Sequence, residues 1–314
     1  MNSGKHKFLV LGRAGLDLYA DPPGTRTEDA LMFSAALGGS AANIAAGIAR
    51  LGGHADLVSV VSNDAVGRYT TNELKKYGVG TQHVTSVAGE ARNSLAVVET
   101  RRENCQSVIY RNGAADFQLT TNHVKNIPYT DYNSLIITGT ALAVEPSRGA
   151  AFKAIELASN AGLQIIFDVD YRPYSWANPD DARETCLRAA KLSTIVIGND
   201  DEFSVMGGGL DLAKSLKAEV VIYKMGEKGS VTFANGESFQ TGIFKVQALK
   251  PTGAGDSFMA AFVISLAQGM DVKSSVHRGS AAAAIVVTRI GCAPAMPTQD
   301  ELSNFMVTHA HFTL

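Results

Sequence analysis

Short, largely apolar runs recur along this chain: Phe8–Leu11, Leu57–Val61, Leu135–Ile137, Ile165–Phe167, Ile195–Ile197 and Val220–Tyr223. Each has the length of a strand, and a strand apolar on both faces has to be covered on both sides. Helical patterns separate most of them. In Ala41–Leu51, Ile44, Ile48 and Leu51 fall at i, i+4 and i+7, and Gly52-Gly53 ends the run. Ala151–Ala161 and Asp180–Ala190 read as further amphipathic helices. Strands alternating with helices predict a mostly parallel sheet between two helical layers. The 314 residues, 46% of them hydrophobic, suffice for one large α/β domain of this kind.

Two segments break the pattern. Leu16 to Ala36, with its Pro22-Pro23-Gly24 turn, and Asn93 to Arg111 read as strands and hairpins. SLAVVET and QSVIYRN suit an antiparallel pair outside the main sheet. Residues 16–36 and 93–111 are therefore expected to form a small, discontinuous β-sheet lid on a single domain spanning 1–314.

The net charge of −2 and the lack of a basic run give no basis for binding nucleic acid. The longest apolar run, Ala281–Val287, is too short to span a bilayer, and the opening Phe8–Leu11 run is too short for a signal peptide. Cys105, Cys186 and Cys292 are far apart and odd in number, which points to a reducing compartment. A cytoplasmic location is expected. The histidines form no metal-binding motif; His309-Ala310-His311 reads as a frayed tail and Met206–Gly209 as a flexible connection.

The most chemically suggestive stretch is KPTGAGDSF, Lys250 to Phe258. Phe258, Phe262 and Leu266 then recur at i, i+4 and i+8, with Gly269 as a stop, so Gly253-Ala254-Gly255-Asp256 lies at a helix N-terminus. There the first N–H groups lack intrahelical partners and the dipole favours negative charge. Small residues let an anion approach the backbone, and an acid in the same turn can take a proton from an attacking hydroxyl. By itself the stretch also fits an ordinary capped helix. It lacks the third glycine of a dinucleotide fingerprint, and the chain contains no P-loop.

A second stretch, LGGSAANIAAGIARLGG from Leu37 to Gly53, together with PTGAGDSF resembles the two signature regions of the PfkB (ribokinase-like) carbohydrate kinases. Gly15-Leu16-Asp17, Asp168 to Arg172, Asn199-x-x-Glu202 and Gly226-Glu227-Lys228-Gly229 follow in the family's order. The resemblance implies a ribokinase-like three-layer α/β/α fold with a small β-sheet lid, and ATP and Mg²⁺ as co-substrate and metal. It makes Asp256 the catalytic base and the N–H groups of Gly253, Ala254 and Gly255 an anion hole. Phosphoryl transfer needs positioning and charge stabilisation above all, which such a corner supplies.

By the same resemblance, Asp17, Gly38, Gly39, Asn43 and Asp168 are expected at the sugar. Asn199, Lys224, Gly226 and Gly229 are expected at the nucleotide, and Glu202 at Mg²⁺ through water. GRAGLDLY (Gly12–Tyr19) and FDVDYRPYSW (Phe167–Trp176) look like the family members that phosphorylate keto-deoxy sugar acids, one of them in inositol catabolism. A carboxylate calls for a guanidinium; Arg172, Arg92 and Arg13 are the candidates, in that order. Trp176 reads as packing. Many relatives have an aspartate that helps hold a monovalent cation where this chain has Lys250, which puts that cation in doubt. The Lys250 ammonium could take its place, or point to solvent. The resemblance also implies a possible homodimer through the lid. Open alternatives are a neutral-sugar (ribose or fructose) or nucleoside kinase and a non-catalytic sugar-binding sensor.

Overall fold

The computed structural model describes residues 6–309, so His311 lies outside the described residues. Among the described residues, thirteen strands form two sheets: β1 (Lys7–Leu11), β2 (Gly15–Asp21), β3 (Met32–Gly38), β4 (His54–Ser62), β5 (Gly80–Val87), β6 (Leu95–Val98), β7 (Ser107–Tyr110), β8 (Ser134–Thr138), β9 (Gln164–Asp168), β10 (Ile195–Asn199), β11 (Val220–Lys224), β12 (Ser230–Ala234) and β13 (Glu237–Thr241). The larger sheet runs β13-β12-β11-β10-β9-β8-β1-β4-β5. Its pairings are parallel from β11 to β5, and β12 and β13 add an antiparallel edge.

Ten α-helices accompany the strands: α1 (Ser40–Arg50), α2 (Ala65–Lys76), α3 (Thr121–Val124), α4 (Ser147–Asn160), α5 (Pro179–Lys191), α6 (Asp200–Val205), α7 (Gly209–Ser215), α8 (Ala254–Ala267), α9 (Val272–Val287) and α10 (Gln299–Thr308). Side chains alternate across each strand, so β1 sends Phe8 and Val10 into one core and Leu9 and Leu11 into the other. The first core is shared with α1, α2, α8, α9 and α10; the second with α3 to α7. This is the three-layer α/β/α arrangement. The six short apolar runs from Phe8–Leu11 to Val220–Tyr223 each lie within a strand of this sheet, and Ala281–Val287 lies in α9. The run at Met206–Gly208 is a turn, and the following helix starts on Gly209 itself.

Helix α8 is buried nearly all round, from Ser257 to Ser265. It is wedged between α1 and α9, and glycines allow the close approach: a methyl on Gly47 would lie 2.7 Å from Ala260 Cβ, and one on Gly279 would lie 2.9 Å from the Phe258 ring. The helix bearing Asp256 is thus fixed by the core at its centre.

The smaller sheet has the order β3-β2-β6-β7. The β2–β3 and β6–β7 pairs are antiparallel, and β2 runs parallel to β6. These strands occupy Gly15–Gly38 and Leu95–Tyr110, close to the two irregular segments of the sequence. Tyr19, Ala36, Ala96 and Val98 are buried on one side of it. Among the described residues, no helix is long and apolar enough to cross a membrane.

Candidate active site

In the larger sheet β1 lies between β4 and β8, so the chain leaves β1 and β8 in opposite senses along the sheet. Open α/β sheets leave a crevice at such a reversal, beyond the C-terminal ends of the strands. A cleft of about 460 Å³ opens there, lined by Arg13 after β1, Thr140 after β8, Asp170 and Arg172 after β9, and Gly253 and Asp256 at the start of α8. The small sheet closes one side through Asp17, Tyr19, Ala96, Val98 and Ile109.

At the floor, Gly253 has φ 84°, a left-handed conformation that turns the chain into α8. A side chain there would crowd Cys292 Sγ at 3.0 Å and Val286 at 3.1 Å. The N–H groups of Ala254, Gly255 and Asp256 open the helix and have no intrahelical acceptor. The half-buried Asp256 is gripped from α1: Ser40 Oγ donates to Oδ1 and Asn43 Nδ2 donates to Oδ2, both at 2.8 Å. Burial, reinforced by the charge of Asp170, pushes its carboxyl up to about 6, against those two hydrogen bonds and Arg172. A carboxylate poised near neutrality and anchored at both oxygens has the properties of a general base.

Beside the anion hole stands Lys224, at the end of β11. Its Nζ lies 3.4 Å from the position a methyl on Gly255 would take. Burial pushes the carboxyls of Asp168 and Glu202 above the usual range, and the Lys224 ammonium is the chief opposing influence on both. Glu202 is held by a reciprocal cap at the start of α6: Asn199 N donates to its Oε2 at 2.7 Å and Glu202 N donates to Asn199 Oδ1 at 3.0 Å. No cluster of three or more metal-ligating side chains exists among the described residues. Gly226 and Gly229 follow Lys224 in a turn with φ 57° and 76°. A methyl on Gly229 would lie 2.0 Å from Thr241 O, which accounts for glycine there on packing grounds alone.

The part of the cleft around Asp17 and Arg13 is built from more distant pieces. A methyl on Gly38 would lie 1.8 Å from Asp17 Oδ1, and one on Gly39 (φ 99°) 2.3 Å from Arg13 O; the two glycines let β2 and its leading loop close against the start of α1. Asp17 takes a hydrogen bond from Tyr19 Oη at 3.1 Å on Oδ2, while Oδ1 is buried with no partner. Asn43 Oδ1 is likewise buried and unpartnered. Asp17 and Asn43 both line the cleft, and each keeps one buried side-chain oxygen without a hydrogen-bond partner.

Several candidates lie elsewhere than expected. Arg92 is not in the cleft: its side chain is 66% exposed, donates to Gly89 O at 2.8 Å and reaches Asp64 at 3.8 Å. The irregular segment after β5 turns it outward. Asp168, the last residue of β9, is buried with Lys224, Asp170 and Glu202 as charged neighbours and does not line the cleft. Asp170 lines it instead: its φ of 34° turns the chain, and its carboxylate meets Thr140 Oγ1 (3.0 Å) and Arg172 Nη2 (2.8 Å). Trp176 is packed in the core, in keeping with its sequence reading. Lys250 does not point to solvent. It is 1% exposed, and its Nζ donates to Thr252 O at 2.5 Å and Val286 O at 3.4 Å. Burial lowers its pKa, against the charges of neighbours that include Asp256.

Sequence reasoning passed over Ser40, Thr140, Asp170, Arg111 and Tyr174, all of which line the cleft. Ser40 could have been found: it stands three residues before Asn43 on a helix, hence on the same face. Arg111 and Thr140 carry no local signal.

A family model described as pfkB family carbohydrate kinase matches residues 5–299. The chain belongs to the pfkB family of carbohydrate kinases. Among curated members of the family, it is 39% identical over 312 residues to a 5-dehydro-2-deoxygluconokinase of Photobacterium profundum, covering 96% of this chain and 94% of that one. It is 36% identical to the 5-dehydro-2-deoxygluconokinase of Bacillus anthracis over 314 residues, at 96% and 95% coverage. Solved pfkB-type structures share the fold. A fructokinase from Vibrio cholerae with fructose, ADP and potassium ion bound superposes with a TM-score of 0.87 at 24% identity, over 98% of this chain and 100% of that one. A putative ribokinase II from E. coli in complex with ATP and Mg²⁺ gives 0.85 at 21% identity, with the same coverage.

Proposed function

We propose that this kinase transfers the γ-phosphoryl group of ATP to the primary 6-hydroxyl of 5-dehydro-2-deoxygluconate. One observation carries the reading: the Asp256 carboxylate, fixed by Ser40 and Asn43, stands in the first turn of α8 beside N–H groups that lack intrahelical partners. In this reading Asp256 removes the proton from the attacking hydroxyl. The N–H groups of Gly253, Ala254 and Gly255, with the Lys224 ammonium, stabilise the charge on the moving phosphoryl group. Asp17 and Asn43, which line the cleft beside Asp256, hydrogen-bond the sugar hydroxyls. Glu202, with Asp168 behind it, would hold Mg²⁺ through water, and the metal would neutralise phosphate charge. Asn199, Gly226 and Gly229 border the nucleotide. The relatives' names select the sugar acid. We also assign the enzyme to the cytoplasm, consistent with its free thiols.

Lys250 extends the reading. Its ammonium rests on two main-chain carbonyls just behind the anion hole. We assign to it the fixed positive charge that a monovalent cation would otherwise supply.

The lid is assigned a second role. Its outer side and β3 edge expose Leu31, Met32, Phe33, Val108 and Tyr110. A second copy of the chain covering this patch would remove it from water. Sedimentation tests this: a dimer is expected, reduced to monomer by Tyr110→Lys, and a monomeric wild type contradicts it.

The substrate is tested by ADP release with Mg-ATP across 5-dehydro-2-deoxygluconate, 2-dehydro-3-deoxygluconate, ribose and fructose. The highest kcat/KM is expected with 5-dehydro-2-deoxygluconate. A preference for ribose or fructose contradicts the assignment, and no turnover of any of them would favour a binding role.

A further inference from the structure

Three guanidinium groups line the cleft: Arg13, Arg111 and Arg172. Tyr174 lines the same cleft; burial raises its phenol, and the charges of all three arginines oppose that rise. Two are already committed to acids. Arg111 is buried against Asp116, with Nε donating to Oδ2 at 3.0 Å and Nη2 bonded to the same oxygen, and it stacks on Phe117 at 4.1 Å. Arg172 Nη2 pairs with Asp170 Oδ1 at 2.8 Å, and its Nη1 donates to Tyr171 O at 2.9 Å.

Arg13 differs from both. It is only 9% exposed, yet among the described residues no carboxylate lies within ion-pair distance of it. Its hydrogen bond is to a neutral hydroxyl: Nη1 donates to Ser94 Oγ at 3.0 Å, and Ser94 is itself fully buried. A charge withdrawn from water without an opposite partner is costly, and a ligand that brings the partner recovers the cost. The bond to Ser94 fixes one arm of the fork, so the remaining N–H groups are held ready for a planar anion.

We infer that Arg13 is the specificity-determining residue of this site, the guanidinium that receives the acceptor's carboxylate. This rests on the sugar-acid reading above and sharpens it. The acceptor would then lie along the cleft with its reacting hydroxyl at Asp256 and its carboxylate at Arg13, while Asp17 remains free for a hydroxyl. The rival account is that Arg13 merely balances the charge of Asp17, whose carboxyl it pulls down against burial.

The two accounts separate on a ratio. kcat/KM is measured for the sugar acid and for its neutral analogue carrying hydroxymethyl in place of carboxylate, in the wild type and in Arg13→Gln, Arg13→Lys and Arg172→Gln. Loss of a charged fork predicts that the acid-over-neutral preference falls roughly 30- to 1000-fold in Arg13→Gln, mainly through KM for the acid. Arg13→Lys, which keeps charge and loses the fork, should fall between, and it decides the matter if Arg13→Gln does not fold. Arg172→Gln should keep most of the preference. A wild type that prefers the acid, with Arg13 variants that prefer it equally, overturns the assignment of Arg13 alone; so does a preference abolished only by Arg172→Gln. A wild type that uses both compounds equally overturns the sugar-acid reading and this inference with it.

Discussion

On the proposed reading the cleft has a phosphate end and a sugar end, and the two are made in different ways. The phosphate end comes from one continuous stretch, Gly253 to Asp256, and much of its chemistry is main-chain: N–H groups at the start of a helix that is locked into the core. The sugar end is made of side chains from β2, α1 and the loops after β1, β8 and β9, and each depends on a partner far away in the sequence. The first is a local device, which any acceptor could use. The second is a product of topology, and selectivity among acceptors belongs there.

That contrast can be broken at either end. Asp256→Asn keeps the shape of the phosphate end and removes the proton acceptor, so kcat should fall by about 10²–10⁴ with KM for ATP little changed. Turnover within tenfold of wild type would remove Asp256 from its role. Lys224→Met should lower kcat by roughly 10²-fold, as loss of one preorganised positive group at a developing charge does. A loss below threefold would show that the N–H groups act without it. At the other end, Gly38→Ala places a methyl 1.8 Å from Asp17 Oδ1. It should cost about 1–3 kcal/mol of stability in thermal unfolding and raise KM for the sugar, leaving KM for ATP unchanged. A rise confined to ATP would mean that the two ends are not separable. The smallest effect is expected from exchanging Na⁺ for K⁺: activity should change less than about twofold if, as proposed, the Lys250 ammonium resting on Thr252 O and Val286 O supplies the positive charge. Strong stimulation by K⁺ would contradict this.

The same contrast explains what the sequence made legible. Strand length, helix period and the run of small residues before Asp256 are local, so the sheet, its helices and the helix start that carries Asp256 can be read from the chain. Partnerships of Arg111 with Asp116, or of Asp170 with Thr140, arise where loops meet above the sheet, and nothing within either residue's neighbourhood announces them. Arg92 and Arg13 show the consequence. Both were candidates for the carboxylate, yet one turns outward to Asp64 and the other turns into the cleft beside Ser94. Lys250 was equally ambiguous between solvent and interior until its two carbonyl partners were seen.

The pH dependence of kcat/KM for the sugar acid tests Asp256 most directly. Its carboxyl is pushed up to about 6, so it carries a proton below that pH and cannot accept one. The rate should therefore rise with pH, tenfold per unit below about 6, and level off above it, and this limb should vanish in Asp256→Asn. A wild-type profile flat from pH 5 to pH 8, or the same limb persisting in the variant, would contradict the account.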